Sequence, residues 1–336
     1  MKAAVLRGAG DIRMETVPDP VAEPYGIIIK VKACGVCGSD LHEYKSGKNP
    51  GTIFGHEFSG DVAQVGKHVT GIEVGDRVTA VGFRACGKCL WCNQGKPHRC
   101  SNMALVGYQL PGAMAEYVSI PVAAVGQTVF PLPDELTYED AAQVEPLSIS
   151  LYSTRRTKPK ETDTAVVLGA GVIGLNAIQV LKSMGVKTVL VSARRPSRLA
   201  AAKACGADLI IDAAKDDPVP AIMEATGGMG AEIVVECAGS PATFGQAVEV
   251  AAGGGKIALV AIYEQPINWD PTPVIGKNLT LIGCLGGNFP GSIDLIRTGK
   301  VTTRPFVTHR FPLEQVDEAF KTAITDPGAI KVMITP

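Results

Sequence analysis

Residues 86 to 100 read CGKCLWCNQGKPHRC, which spaces four thiols as Cys86-x2-Cys89-x2-Cys92-x7-Cys100. Short C-x2-C spacers let one loop wrap a tetrahedral ion, and the longer spacer brings the chain back to close the shell. The competing readings are two disulfides or four unrelated thiols. Four thiolates leave zinc no open position, so an ion here would be structural. Its excess negative charge would be offset by backbone N–H groups and by Lys88, Lys96 and Arg99. A second, sparser set lies upstream, with Cys37 in CGSDLH and His56 and Glu57 in GHEFSG. A thiolate, an imidazole and a carboxylate suit zinc but do not fill its shell. The free position would admit water or a substrate oxygen, where the ion acts as a Lewis acid. The expectation is therefore two zinc ions per chain, one structural and one catalytic.

A third chemical motif sits at mid-chain, in TAVVLGAGVIGLNAIQVLKSMG, residues 164 to 185. Strand-like residues run into Gly169-x-Gly171-x-x-Gly174, and an apolar pattern of helical period follows. Backbone around Gly169, Gly171, Val172, Ile173 and Gly174 would open a helix whose N-terminus suits a dinucleotide pyrophosphate. The next strand ends in LVSARRPSR, residues 190 to 198. NAD-binding domains usually place an acid there, about 20 residues beyond the glycines, to bind the ribose 2′-hydroxyl. The matching position is Ala193, followed by Arg194 and Arg195, with Ser192 and Arg198 beside them. Losing the acid and gaining guanidinium groups favours a 2′-phosphate, hence NADP(H). The plainer alternative is a pair of solvated arginines that tolerate either cofactor.

The elements that must position these groups follow from pattern and composition. The chain has 336 residues, 46% of them hydrophobic, and a net charge of −1, enough for two domains and no electrostatic case for nucleic acid or anionic membrane. No apolar run approaches a membrane span or a signal peptide, which points to a reducing, cytoplasmic compartment. Cys34, Cys205, Cys237 and Cys284 read as buried small hydrophobes. After residue 164, helical and strand-like segments alternate in the manner of a doubly wound parallel sheet. The first 130 residues are β-rich and punctuated by Gly and Pro.

These motifs together carry a resemblance. Gly55-His56-Glu57, Gly60, Gly66 and Val69 match the zinc signature of the zinc-dependent medium-chain dehydrogenase/reductase family, and the thiol lobe and glycine motif follow in that family's order. Glu145-Pro146-Leu147 is similar to a segment of its sorbitol, threonine and butanediol dehydrogenase subgroup. The resemblance covers essentially the whole chain. It implies a GroES-like catalytic domain over residues 1–148 and 286–336, with a structural-zinc lobe at about 84–102. A Rossmann domain over 149–285 would be inserted between them, the active site lying in the cleft. A homodimer or homotetramer would be usual.

The same resemblance implies site roles. Ser39 would begin a proton relay that runs through the nicotinamide ribose to His42, and Asp40 would orient the ligand histidine. Glu145 would be the third zinc ligand or stand beside the metal, in competition with Glu57, and the choice stays open. The implied reaction moves a hydride between NADP(H) and a small secondary alcohol, polyol or cyclic polyol, or its ketone. The segment CLGGNFPG lacks the arginine with which polyol members contact substrate, which weakens a linear sugar alcohol. The rival readings are a zinc-free quinone or enoyl reductase and a non-catalytic dinucleotide-binding protein on the same fold.

Overall fold

A computed structural model describes every residue from Met1 to Pro336. The chain forms two compact units, one from Met1–Glu145 with Val307–Pro336 and one from Pro146–Phe306. No helix is long and apolar enough to cross a membrane.

The first unit is built on a seven-stranded sheet. At its centre Ile27–Gly35 pairs antiparallel with Glu57–Val65, Tyr117–Ile120 and Lys331–Thr335. Neighbours on both edges explain why IIIKVKACG is almost continuously apolar and buried. Its register with Glu57–Val65 shifts twice, between Ile28 and Ile29 and between Val31 and Ala33. Such irregularities re-aim a strand end. This one delivers Gly35 opposite Glu57, and the chain then turns into the helix Gly38–Ser46. The core beneath joins strand residues such as Ile29, Phe58 and Val78 to Val316, Ala319 and Phe320 of the helix Val316–Thr325. Off this body, Phe83–Arg84 pairs antiparallel with Ala104–Leu105 and closes a small lobe that holds the four clustered cysteines.

The second unit is a six-stranded, wholly parallel sheet. Its strands run in the spatial order Leu209–Asp212, Thr188–Ala193, Thr164–Leu168, Ala231–Glu236, Ala251–Leu259 and Thr280–Gly283. Chain order reverses between Thr164–Leu168 and Ala231–Glu236, the crevice where doubly wound sheets bind nucleotides. The strand residues Val166, Leu168, Leu190 and Val234 are buried, as a sheet covered on both faces requires.

One expectation changes. Residues 286–306 were assigned by the sequence to the catalytic domain, but they pack within the parallel-sheet unit. The cause is local packing. The helix Phe289–Arg297 and the turn after it set Leu295, Ile296 and Val301 against Leu147, Leu151 and Val180. The Gln179 side chain also pins Thr302, donating to its carbonyl at 3.0 Å and accepting from its N–H at 2.9 Å. Likewise residues 146–148 fall on the second unit's side of the boundary.

Candidate active site and metal centres

The turn from Gly35 into the helix Gly38–Ser46 creates the first half of the site. Cys37 is the N-cap, with extended backbone, so its sulfur sits at the positive end of the helix dipole. Asp40, one turn on, accepts from the Cys37 N–H at 3.0 Å through one carboxylate oxygen. Its other oxygen faces Nδ1 of His56 at 3.6 Å. Asp40 thus touches both candidate ligands. Burial pushes its pKa up to about 6 despite the His56 charge and the Cys37 amide.

The second half comes from the strand Glu57–Val65 and the residue before it. The thiol of Cys37, the imidazole of His56 and the carboxylate of Glu57 converge, their ligand atoms all within 4.8 Å of one another. Burial alone would lower the pKa of His56, but Cys37 and Asp40 outweigh it and hold it well above its ordinary value. Gly35 makes room for Glu57, because a β-carbon there would collide with its Oε2. Glu145 is also at the site. It acts electrostatically with His56, Glu57 and Asp40, and burial pushes its pKa up to about 7.

Two neighbours escaped the sequence reading. Lys331, 3% exposed and at the start of the last strand, forms a buried ion pair with Glu57 and donates to the Val36 carbonyl at 3.0 Å. Burial works against its charge, but Glu57, Cys37 and Glu145 hold it protonated. Tyr108 stacks on the His56 ring, centroids 5.1 Å apart, and shares a 2.7 Å hydrogen bond with Ser39. Burial pushes its phenol up to about 12. Neither residue belongs to a spacing motif, so only the fold reveals them. Ser39 and His42 stand three apart on one helix and therefore share a face. Glu43, the next residue, accepts from Asn49 at 2.8 Å.

The donor chemistry fits a divalent cation. One thiol and three carboxyl groups, those of Cys37, Asp40, Glu57 and Glu145, face the Lys331 ammonium and the His56 imidazole. Asp40 Oδ1 and His56 Nδ1 are buried without a hydrogen-bond partner. A cation at this point would supply the counter-charge that such carboxyl groups need to ionise while buried.

The lobe fits a closed site. Cys86, Cys89, Cys92 and Cys100 also group within 4.8 Å. Cys89 Sγ lies 3.5 Å from Cys92 Sγ and 3.9 Å from Cys100 Sγ. A tetrahedron with metal–sulfur bonds of ~2.3 Å has sulfur–sulfur edges of ~3.8 Å. A disulfide needs ~2.05 Å, and all nine cysteines are free, so the disulfide alternative falls. Backbone N–H groups of Cys92 and Ser101 hold the Cys89 thiol down, to about 6. Of the charges expected to assist, Lys96 and Arg99 stack on Trp91 at 5.9 and 5.3 Å. Among the other cysteines Cys34 is buried as expected, whereas Cys205, Cys237 and Cys284 are only partly so, because they follow helix or strand ends.

In the parallel-sheet unit the glycine motif has the form a pyrophosphate needs. Gly169, at φ +95°, ends the first strand, and Gly171 caps the helix Val172–Ser183. A β-carbon on Gly174 would strike the Gly169 carbonyl, so helix and strand approach closely. In front of Gly171 lies open space, into which the helix N-terminus at Val172 and Ile173 presents its amides. At the end of the second strand Ser192 and Ala193 are buried, while Arg194 is exposed. Arg195 caps the helix Pro196–Ala204, which carries Arg198. Arg198 Nε has no partner, and burial together with Arg195 lowers its pKa. Asp212, paired in the sheet with Ala193, has its carboxylate committed to Lys215 at 3.1 Å and the Ala214 amide at 3.1 Å.

Comparison with known proteins agrees with this geometry. Residues 23–134 match the alcohol dehydrogenase GroES-like domain, and residues 172–298 match the zinc-binding dehydrogenase family. The chain is 34% identical to a sorbitol dehydrogenase of Bacillus subtilis (strain 168), across 100% of this chain and 97% of that one. The 2R,3R-butanediol dehydrogenase of Bacillus subtilis superposes with a TM-score of 0.87 at 33% identity, covering 100% and 99% of the two chains. A Sinorhizobium meliloti 1021 protein solved with NADP bound superposes at 0.91 with 29% identity, again covering 100% and 99%.

Proposed function

This chain belongs to the zinc-dependent medium-chain dehydrogenase/reductase family of alcohol dehydrogenases, and on that premise we propose that it transfers a hydride between NADP(H) and a small secondary alcohol or polyol. The convergence of Cys37, His56 and Glu57 carries the reading. Cys37 and His56 would hold the catalytic zinc with Glu57 or Glu145, and Cys86, Cys89, Cys92 and Cys100 would hold a second, structural ion. When bound, zinc supplies a Lewis acid and the nicotinamide a hydride carrier. The chain's own groups handle position and proton. Asp40 faces His56 Nδ1 at 3.6 Å, from where it would orient the ring of a metal-bound histidine. Ser39, two residues beyond Cys37, would accept the proton of the substrate hydroxyl while giving up its own, and His42 on the same helix face would release a proton to solvent at the end of that relay.

Similarity to a sorbitol and a butanediol dehydrogenase supports an alcohol with neighbouring hydroxyls. The test is a spectrophotometric screen of 2,3-butanediol, sorbitol and threonine with NAD and NADP. Turnover of at least one is expected, and Ser39→Ala should lower kcat about a hundredfold with zinc content kept. No turnover of any panel member would reject the reading.

NADP preference rests on Ala193, Arg194, Arg195 and Arg198, with the unpartnered Arg198 Nε as a buried donor. Ser192 is the weakest member, since it is buried. Ala193→Asp combined with Arg194→Leu should move the kcat/KM ratio toward NAD by about tenfold or more, by adding repulsion and removing a cation. A wild-type preference for NAD in steady-state kinetics would overturn the assignment.

A further inference from the structure

We propose that Tyr108 is a positioning residue of this site, its phenol fixing the direction of the Ser39 hydroxyl. The inference rests on the reading of Ser39 given above.

The local chain is shaped to bring this phenol in. Residues 112–114 run alongside 53–55, the N–H groups of Gly112, Ala113 and Met114 donating to the carbonyls of Ile53, Gly55 and Phe54 at 2.8, 2.9 and 2.9 Å. The segment that ends in His56 is therefore zipped to the segment that follows Tyr108. Just before Tyr108, Gly107 adopts φ +84°, and a β-carbon there would sit 3.0 Å from the Gly55 carbonyl. A left-handed turn in close contact with Gly55 is what lays the Tyr108 ring over His56.

Stacking needs only a ring, and phenylalanine would provide one. The hydroxyl needs a separate reason. Its hydrogen bond goes to Ser39 Oγ at 2.7 Å, across 69 residues of sequence. A serine hydroxyl rotates freely unless a partner fixes it. With Tyr108 engaged, one of its directions is committed and the others are restricted, which presents the oxygen to the substrate side in a defined orientation. Such preorganisation lowers the cost of proton transfer without Tyr108 touching the reacting atoms. Tyr108 is partly exposed, so its outer edge does not complete the core and a purely packing role leaves the hydroxyl unexplained.

The experiment compares wild type, Tyr108→Phe, Ser39→Ala and the double variant with the best substrate of the panel above. Tyr108→Phe should lower kcat about tenfold, leave KM within about twofold, and retain both zinc ions by elemental analysis. In the Ser39→Ala background the same change should cost nothing further, since its effect passes through Ser39. A high-resolution crystal structure of Tyr108→Phe should show Ser39 in more than one rotamer where the wild type shows one. Unchanged kcat, a loss confined to KM, a loss of zinc, losses that multiply in the double variant, or an undisturbed Ser39 rotamer would each overturn the proposal. If Ser39→Ala itself turns over like wild type, the reading of Ser39 fails and takes this one with it. A defective Ser39→Ala beside a fully active Tyr108→Phe removes only the role of Tyr108.

Discussion

Lys331 stands 274 residues from Glu57, yet the two form a buried ion pair at the edge of the candidate zinc site. Such a pair contributes little net stability, because desolvating both charges offsets their attraction. Breaking it is another matter. Lys331→Met leaves Glu57 buried without its cation, and should cost ~3–5 kcal/mol in urea unfolding of zinc-free protein. With zinc bound the loss should be smaller, since a dication would stand in for the ammonium. Equal losses in both states would separate Lys331 from the metal site. In the sequence Lys331 is one of 32 lysines and arginines, with no motif around it. Cys37, His56 and Glu57 were legible because two short segments, each with a recognisable residue pattern, contain them.

At the scale of elements, glycines decide how closely the working pieces approach. Gly35 lies opposite Glu57 in the central strand pair, where a methyl group would strike the carboxylate. Gly35→Ala should therefore lower catalytic zinc content while the thiol lobe stays loaded, as read by elemental analysis of the folded protein. Loss of both ions would indicate general unfolding instead. The lobe has the opposite profile. Its two short strands pair through only Phe83–Leu105 and Arg84–Ala104, too little to hold the loop between them. Cys89→Ser should thus loosen the lobe, lower thermal stability and increase proteolysis between residues 86 and 100. The glycine motif and the alternating segments around it were readable because their chemistry is local, with strand, turn and helix in succession. The 286–306 segment was not. Its assignment depends on packing against Leu147, Leu151 and Val180, which precede it by more than a hundred residues.

For the molecule as a whole, metal, protonation and stability are linked. Purified protein should contain two zinc ions per chain, one of them removed by mild chelation together with activity; a single ion in active protein would contradict the two-site reading. Burial raises Asp40 to about 6 and Glu145 to about 7. Without metal, the stability these protonated groups contribute is complete below their ordinary values of 3.8 and 4.5 and is lost as pH rises through about 6 and about 7. A bound dication favours the ionised carboxylates and reverses that loss. The difference in Tm between loaded and chelated protein should therefore widen from about pH 5 to about pH 8, and a constant difference would exclude the linkage. The sequence alone determined the two thiol-containing clusters, the parallel-sheet unit and the family, because each rests on residues a few positions apart whose spacing is itself informative. The tertiary structure alone decided that Lys331 neutralises Glu57, that Tyr108 meets Ser39 and His56, and that residues 286–306 belong to the parallel-sheet unit. These depend on strand register and on contacts between distant segments. No local pattern encodes them, because the free energy that selects them comes from packing of the whole core.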